Sequence, residues 1–302
     1  MRRMQQLLTS LGFIFIRLIS YLPMSMLRLM GNCLGIIGYY CVSKRRNIGI
    51  TNLTLCFPSM SIAEKKRIIK EHFKYLMVSA LEYSVFFFAS QDKIKQLVSF
   101  KNSHYVTEYY KKQPIIILYP HFVGLDLGAL RMTGEFAGCS IYATQKNPYL
   151  TDRIKQARLR FMKDYGGELF PRNDGLRGII KHLKAHNDIF YYLPDQDFGE
   201  RDSIYVPFFA QKTCATVNIL PRIAKLTNAV IIPAFVYRNE NDTYEVEFFP
   251  AWDNYPSDNY ENDVGRINQF VEHAVTKYLE QYFWLHKRFK TQPNLPKGFL
   301  YK

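Results

Sequence analysis

Cysteine is scarce and scattered in this 302-residue chain. Cys33, Cys41, Cys56, Cys139 and Cys214 are odd in number and far apart, with no Cys-x-x-Cys pair and no histidine at metal-ligand spacing. That disfavours a disulfide framework or a zinc site, and each cysteine reads as a reduced, small buried hydrophobe. A long apolar run is missing too. Arg17 and Arg28 interrupt the first forty residues before any stretch reaches the roughly 18 uncharged apolar positions of a spanning helix. No small-residue cleavage site follows a short apolar stretch, so a removable secretory signal is not expected. The chain has no internal repeat, no Pro-rich or Gly-Ser linker, and no Gly-x-Ser-x-Gly elbow for a nucleophilic serine. Acidic residues are outnumbered: 26 Asp and Glu stand against 40 Lys and Arg, a net charge of +14. The partners of such a chain are anionic, namely phospholipid headgroups, nucleic acid or an acidic carrier protein, and charge alone does not choose among them.

What is present is apolar and aromatic. Hydrophobic residues make up 48%, with 22 Tyr and 23 Phe, enough for a sizeable core and against disorder. In the first 42 residues, Arg2, Arg3, Arg17 and Arg28 stand among Leu, Ile, Phe and Met. That pattern suits a helix in the headgroup region, apolar side sunk and guanidinium groups snorkelling, with a helical hairpin packed on the core as the alternative. Residues 43–302 then form the second unit. Ser61 and Glu64 make a capping box for a helix expected to run to about Phe88. Its apolar face is Ile68, Ile69, Phe73, Leu76, Met77 and Leu81, with Lys65, Lys66, Arg67 and Lys70 on the solvated side. From Pro114 the pattern changes. Short apolar runs at Ile115–Tyr119, Ile141–Ala143, Ile189–Leu193 and Val230–Val236 read as strands between helical stretches, and Tyr244–Phe249 adds a late strand. Such alternation implies an α/β fold with a mostly parallel central sheet flanked by helices. Gly265–Phe283 reads as an amphipathic helix before a basic tail.

Chemistry concentrates where these strands end. After the run Ile115–Tyr119 come Pro120, His121, Phe122, Val123, Gly124, Leu125 and Asp126. Positions five apart face away from each other on one continuous helix, but Pro120 and Gly124 supply a turn that brings the Asp126 carboxylate onto one nitrogen of His121. The other nitrogen is then free to take a proton from a hydroxyl. A hydrogen-bonded structural histidine is the plainer reading of such a pair. The strand-end context and the lack of a covalent nucleophile favour a general-base dyad and direct transfer. In Gly166–Gly175, a short glycine-flanked strand leads to Arg172, whose guanidinium suits phosphate. Lys146, Arg153, Arg158 and Arg160 widen the positive field or form a solvated helix face. At Leu193–Gly199 the carboxylates of Asp195 and Asp197, with Gln196 between them, read as orienting groups for substrate or for the arginines, or as a hydrated turn. Further ligands for a metal are not evident nearby.

At these stretches the sequence resembles the late acyltransferases of lipid A biosynthesis, within the glycerolipid acyltransferase superfamily marked by His-x4-Asp. The likeness runs from Arg46–Pro58 through His121–Asp126, Gln145–Pro148, Arg158, Gly167–Arg172 and Pro194–Phe209 to Trp284–Lys290. It implies that His121 deprotonates a hydroxyl on a sugar-linked 3-hydroxyacyl chain, that Asp126 orients it, that acyl carrier protein leaves as thiol, and that Arg172 fixes phosphate or the oxyanion. Asp195-Gln196-Asp197-Phe198-Gly199 stands where glycerophosphate enzymes carry Pro-Glu-Gly, which favours a phosphorylated glucosamine-based acceptor of the Kdo2-lipid IVA type. Another membrane lipid, an aminolipid or a glycerophospholipid, is the alternative acceptor. The resemblance implies no cofactor and no nucleic acid, and a place among the phospholipids of the bacterial inner membrane, on its cytoplasmic face.

Overall fold

The computed structural model describes residues 2–145, 147–162 and 166–301; Lys146 lies outside them. The amino-terminal third is helical, with α1 (Arg2–Ile19), α2 (Met24–Cys41), α3 (Ser43–Cys56), α4 (Ile62–Leu81), α5 (Tyr83–Phe88) and α6 (Gln91–Leu97). Leu27, Gly31, Gly35 and Tyr39, four residues apart, form the buried stripe of α2. This stripe lies on α4. A Cβ on Gly35 would come within 2.4 Å of the Lys74 Cα, so the helix backbones approach as closely as only glycine allows. The outer faces of α1 and α2 expose Leu11, Ile14, Phe15, Leu18, Leu29, Leu34, Ile37 and Tyr40. The hairpin therefore packs on the core and still presents an apolar surface. No helix among the described residues is long and apolar enough to cross a membrane.

Ser61 caps α4 by accepting from the Glu64 backbone amide at 3.1 Å. The reciprocal half of the expected box is absent, because the Glu64 carboxylate is held by Arg67. The helix does not continue to Phe88. It breaks at Glu82, which turns inward and accepts from the Tyr244 hydroxyl at 2.6 Å, a tertiary bond that no local spacing encodes. Lys65, expected on the solvated side, is buried.

The remaining elements alternate: β1 (Val98–Lys101), α7 (His104–Thr107), β2 (Ile115–Leu118), α8 (Leu125–Thr133), β3 (Gly138–Tyr142), α9 (Pro148–Leu159), β4 (Glu168–Pro171), α10 (Arg177–His186), β5 (Ile189–Tyr192), β6 (Ser203–Phe208), β7 (Gln211–Val217), α11 (Ile219–Thr227), β8 (Val230–Arg238), β9 (Tyr244–Phe248) and α12 (Tyr260–Lys277). The main sheet has the order β1-β9-β8-β2-β5-β3-β4. Every neighbouring pair in it is parallel except β8 and β9. Strand β2, four buried aliphatics, lies between β8 and β5, as a strand covered on both faces should. The late helix starts earlier than expected, at Tyr260, because Asn259 caps it through the Asn262 amide. It also stops at Lys277. The hairpin β6–β7, which carries Thr213 and Thr216, lies outside the main sheet.

Right-handed crossovers assign the helices to faces. The chain runs from β2 through α8 outward to β3, and from β4 through α10 back to β5, so α8 and α10 cover opposite faces of the sheet. With α8 go α5 and α9, on which α1 packs; with α10 goes α11, followed by α12. From β2 the chain departs toward one sheet edge, and from β5 it returns past β2 to reach β8. The carboxyl ends of β2 and β5 therefore border the crevice where open α/β sheets bind ligands.

Candidate active site

His121 follows β2 by three residues and stands before α8, in a loop shaped by Gly124. That glycine has φ +80°, and a Cβ there would meet the Tyr244 ring at 2.4 Å. The loop is strapped from outside by the segment after α12. The Val123 amide donates to the Gln281 carbonyl and the Phe283 amide to the His121 carbonyl, both at 2.9 Å.

The carboxylate on the imidazole is Asp195, not Asp126. Nδ1 of His121 donates to Asp195 Oδ1 at 2.7 Å, and the His121 backbone amide donates to Oδ2 at 3.0 Å. Asp195 comes from the segment just past β5, the strand paired with β2, so the sheet itself brings the two together. Burial pushes the Asp195 carboxyl up, but the His121 charge, its two hydrogen bonds and Arg288 outweigh this and leave it below its ordinary value. With Nδ1 committed, Nε2 carries the lone pair, and the Gln196 side-chain amide donates to it at 3.1 Å.

Asp126 belongs to a neighbouring cluster. One oxygen accepts from Arg158 of α9 at 2.9 Å and the other from the Tyr83 hydroxyl. As a first-turn residue of α8, the carboxylate also gains from the helix dipole. Burial, then the Asp126 charge, pushes the Tyr83 phenol up. Asp126 turned away from the imidazole because α9 and the break at Glu82 supply a cation and a phenol to its other side. Arg158 is thereby an ion-pair partner at the site rather than part of a solvated face.

His121 and Asp126 nonetheless share one cavity of about 270 Å³, lined also by Glu82, Tyr83, Phe86 and Phe283. A smaller, apolar cavity of about 90 Å³ adjoins it across Asp126 and Phe86 and reaches Ala129, Thr133, Met162, Leu169 and Tyr191. Of the other expected site residues, Gln196 reaches His121. Arg172 lies 3.9 Å from the Phe198 ring centroid and is exposed, lining neither cavity. Asp197 turns inward: its carboxylate accepts from the Thr291 amide and hydroxyl, each at 2.8 Å, and from the Gly199 amide at 2.9 Å. It pins the carboxyl-terminal tail, with the Lys290 ammonium 3.9 Å from its carboxylate. Arg288, in the terminal block of the resemblance but given no role there, is buried against the Ala215 carbonyl, Thr216 and Asn268. Burial, with Lys290 beside it, pushes His286 down to about 4, so it donates no charge to this region near neutral pH. Nothing in the local spacing around Tyr83 marked it. Among the described residues no cluster of three His, Cys, Asp or Glu side chains could hold a metal.

A buried aspartate fixing one nitrogen of a strand-end histidine, with the other facing a cavity, suits removal of a proton from a hydroxyl. The family of bacterial lipid A biosynthesis acyltransferases matches residues 1–291. The chain belongs to that family. It is 33% identical to a lipid A biosynthesis acyltransferase of Haemophilus influenzae, over 96% of this chain and 93% of that protein. It is 30% identical to the lipid A biosynthesis lauroyltransferase of Escherichia coli K12, over 95% and 92%. A solved structure of the 1-acyl-sn-glycerophosphate acyltransferase PlsC from Thermotoga maritima aligns with 82% of this chain and 97% of that chain, at a TM-score of 0.38 and 14% identity. As a lipid A acyltransferase the protein is a transferase that acylates a lipid A glycolipid.

Proposed function

We propose that the protein transfers a fatty acyl group from acyl carrier protein directly to a hydroxyl of a phosphorylated, Kdo2-lipid IVA type precursor, with His121 as general base. The observation that carries this reading is the contact of His121 Nδ1 with buried Asp195, which leaves Nε2 facing the cavity. The acceptor hydroxyl displaces the Gln196 amide and gives its proton to Nε2. Its oxygen attacks the thioester carbonyl, the tetrahedral intermediate collapses, and the departing thiolate recovers the proton from the imidazolium. Asp195 stabilises that imidazolium and holds its tautomer. Asp126, fixed by Arg158 and Tyr83, forms part of the wall of the same cavity. Arg172 meets the acceptor phosphate, and Lys146, which lies outside the described residues, widens the positive field. The exposed apolar faces of α1 and α2 support reading residues 1–42 as an interfacial segment in the cytoplasmic leaflet of the inner membrane, with residues 43–302 as the acyltransferase domain.

The test is mass spectrometry of a tetra-acylated lipid A precursor incubated with acyl carrier protein thioesters of mixed chain length, using wild type and His121→Ala. One added acyl mass with wild type and none with the variant is the expected result. A folded wild type that leaves the precursor unchanged while acylating a glycerophospholipid or aminolipid would overturn the acceptor assignment.

A further inference from the structure

Helices α10 and α11 contain five basic residues and no acidic one. Arg177, Lys181 and Lys184 recur at positions four and three apart, which places them along one side of α10; Arg222 and Lys225 do the same on α11. All five are exposed. Each is without a carboxylate in salt-bridge range among the described residues, although ten other arginine and lysine side chains make such pairs, none of them on α10 or α11. The two helices pack side by side, and between them lies a groove of about 360 Å³ lined by Leu176, Arg177, Ile180 and Arg222.

We infer that this groove is the docking surface for the acidic helix of the acyl-carrying protein. The inference rests on the proposed thioester donor and adds where that donor binds. A positive rim around an apolar floor is complementary to an amphipathic acidic helix, with an apolar side chain entering between Leu176 and Ile180. Two placements favour a soluble protein over a lipid surface. The groove lies on the sheet face of α10, α11 and α12, opposite the face on which α1 packs. It also opens at the carboxyl end of the sheet: Arg177 follows Arg172 by five residues, and Arg172 stacks on Phe198, three residues from Asp195. A carrier seated there extends its thiol-terminated arm over the Phe198 loop toward His121.

The test compares two donors of the same acyl chain, one on acyl carrier protein and one on free pantetheine, with wild type and the double variant Arg177→Glu/Arg222→Glu. Charge reversal is expected to raise KM for the carrier-borne donor on the order of tenfold or more and to weaken its salt dependence. Turnover of the pantetheine thioester and binding to anionic vesicles stay as in wild type. A carrier variant with lysines on its acidic helix recovers part of the loss. An unchanged KM for the carrier, an equal loss with both donors, or a loss confined to vesicle binding would each overturn the inference. Wild type that uses the pantetheine thioester but not the carrier would overturn the proposed donor, and the docking surface with it.

Discussion

Asp195 holds His121 at two points, the ring Nδ1 and the backbone amide, so one buried carboxylate fixes both the orientation of the imidazole and the loop that carries it. Replacing it with asparagine preserves the shape and removes the preference for the Nδ1–H tautomer. Asp195→Asn is therefore expected to lower kcat by roughly 10³-fold to 10⁴-fold while thermal stability changes little by comparison. Steady-state kinetics beside a melting curve separate the two effects. A variant that keeps wild-type kcat would remove Asp195 from the proton transfer.

The same relationship shows what one dimension conveys and what it does not. The isoleucine run of β2, its stop at Pro120 and the histidine after it are contiguous, and hydrophobic patterning alone reads them. Asp126 is also contiguous with His121, which made it the natural partner. The actual partner is 74 residues away and arrives because β2 and β5 pair in parallel, a register that sequence spacing does not express. Glu82 broke the expected long helix for a similar reason: its bond to Tyr244 spans 162 residues. The strand ends, the glycine turn and the polar Asp195–Asp197 block were legible. Which carboxylate faces the imidazole and which pins the tail depended on contacts between distant segments.

Gly124 is the backbone hinge of the site. At φ +80° an L side chain is strained, and the Tyr244 ring occupies the place of its Cβ. Gly124→Ala is expected to destabilise the fold by roughly 2–4 kcal/mol, the sum of left-handed strain and overpacking. Urea unfolding measures this directly. A loss under about 0.5 kcal/mol, the ordinary scale of a neutral surface change, would show that the loop relaxes freely.

Arg158 neutralises Asp126 in a partly enclosed place. Arg158→Met keeps much of the side-chain volume on α9 and leaves the carboxylate with Tyr83 alone. The expected effect is a fall in kcat/KM of about ten- to a hundredfold, since an unpaired carboxylate reshapes the potential of the cavity. The double variant Arg158→Met/Asp126→Asn removes the orphaned charge. If the two changes combine additively on a logarithmic scale, the ion pair has no functional coupling.

His72 gives the fold a built-in acid sensitivity. It is fully buried on α4, with Nδ1 donating to the Glu280 carbonyl at 3.0 Å, and burial pushes it from its ordinary 6.5 down to about 4. Between those values the unfolded chain binds a proton that the folded chain refuses. Stability from this group is thus fully present above about pH 6.5 and declines as pH falls toward 4, by about 3 kcal/mol at most. Because Glu280 begins the segment that straps the His121 loop, the loss is expected first as weakened protection of the Val123 and Phe283 amides, readable by hydrogen exchange. His72→Asn keeps a donor for the Glu280 carbonyl and cannot take up the proton. It should lie below wild type in stability at neutral pH, because a smaller side chain leaves a void, yet show a flatter profile from pH 6.5 to 4. Parallel profiles for the two proteins would assign the acid sensitivity to other groups.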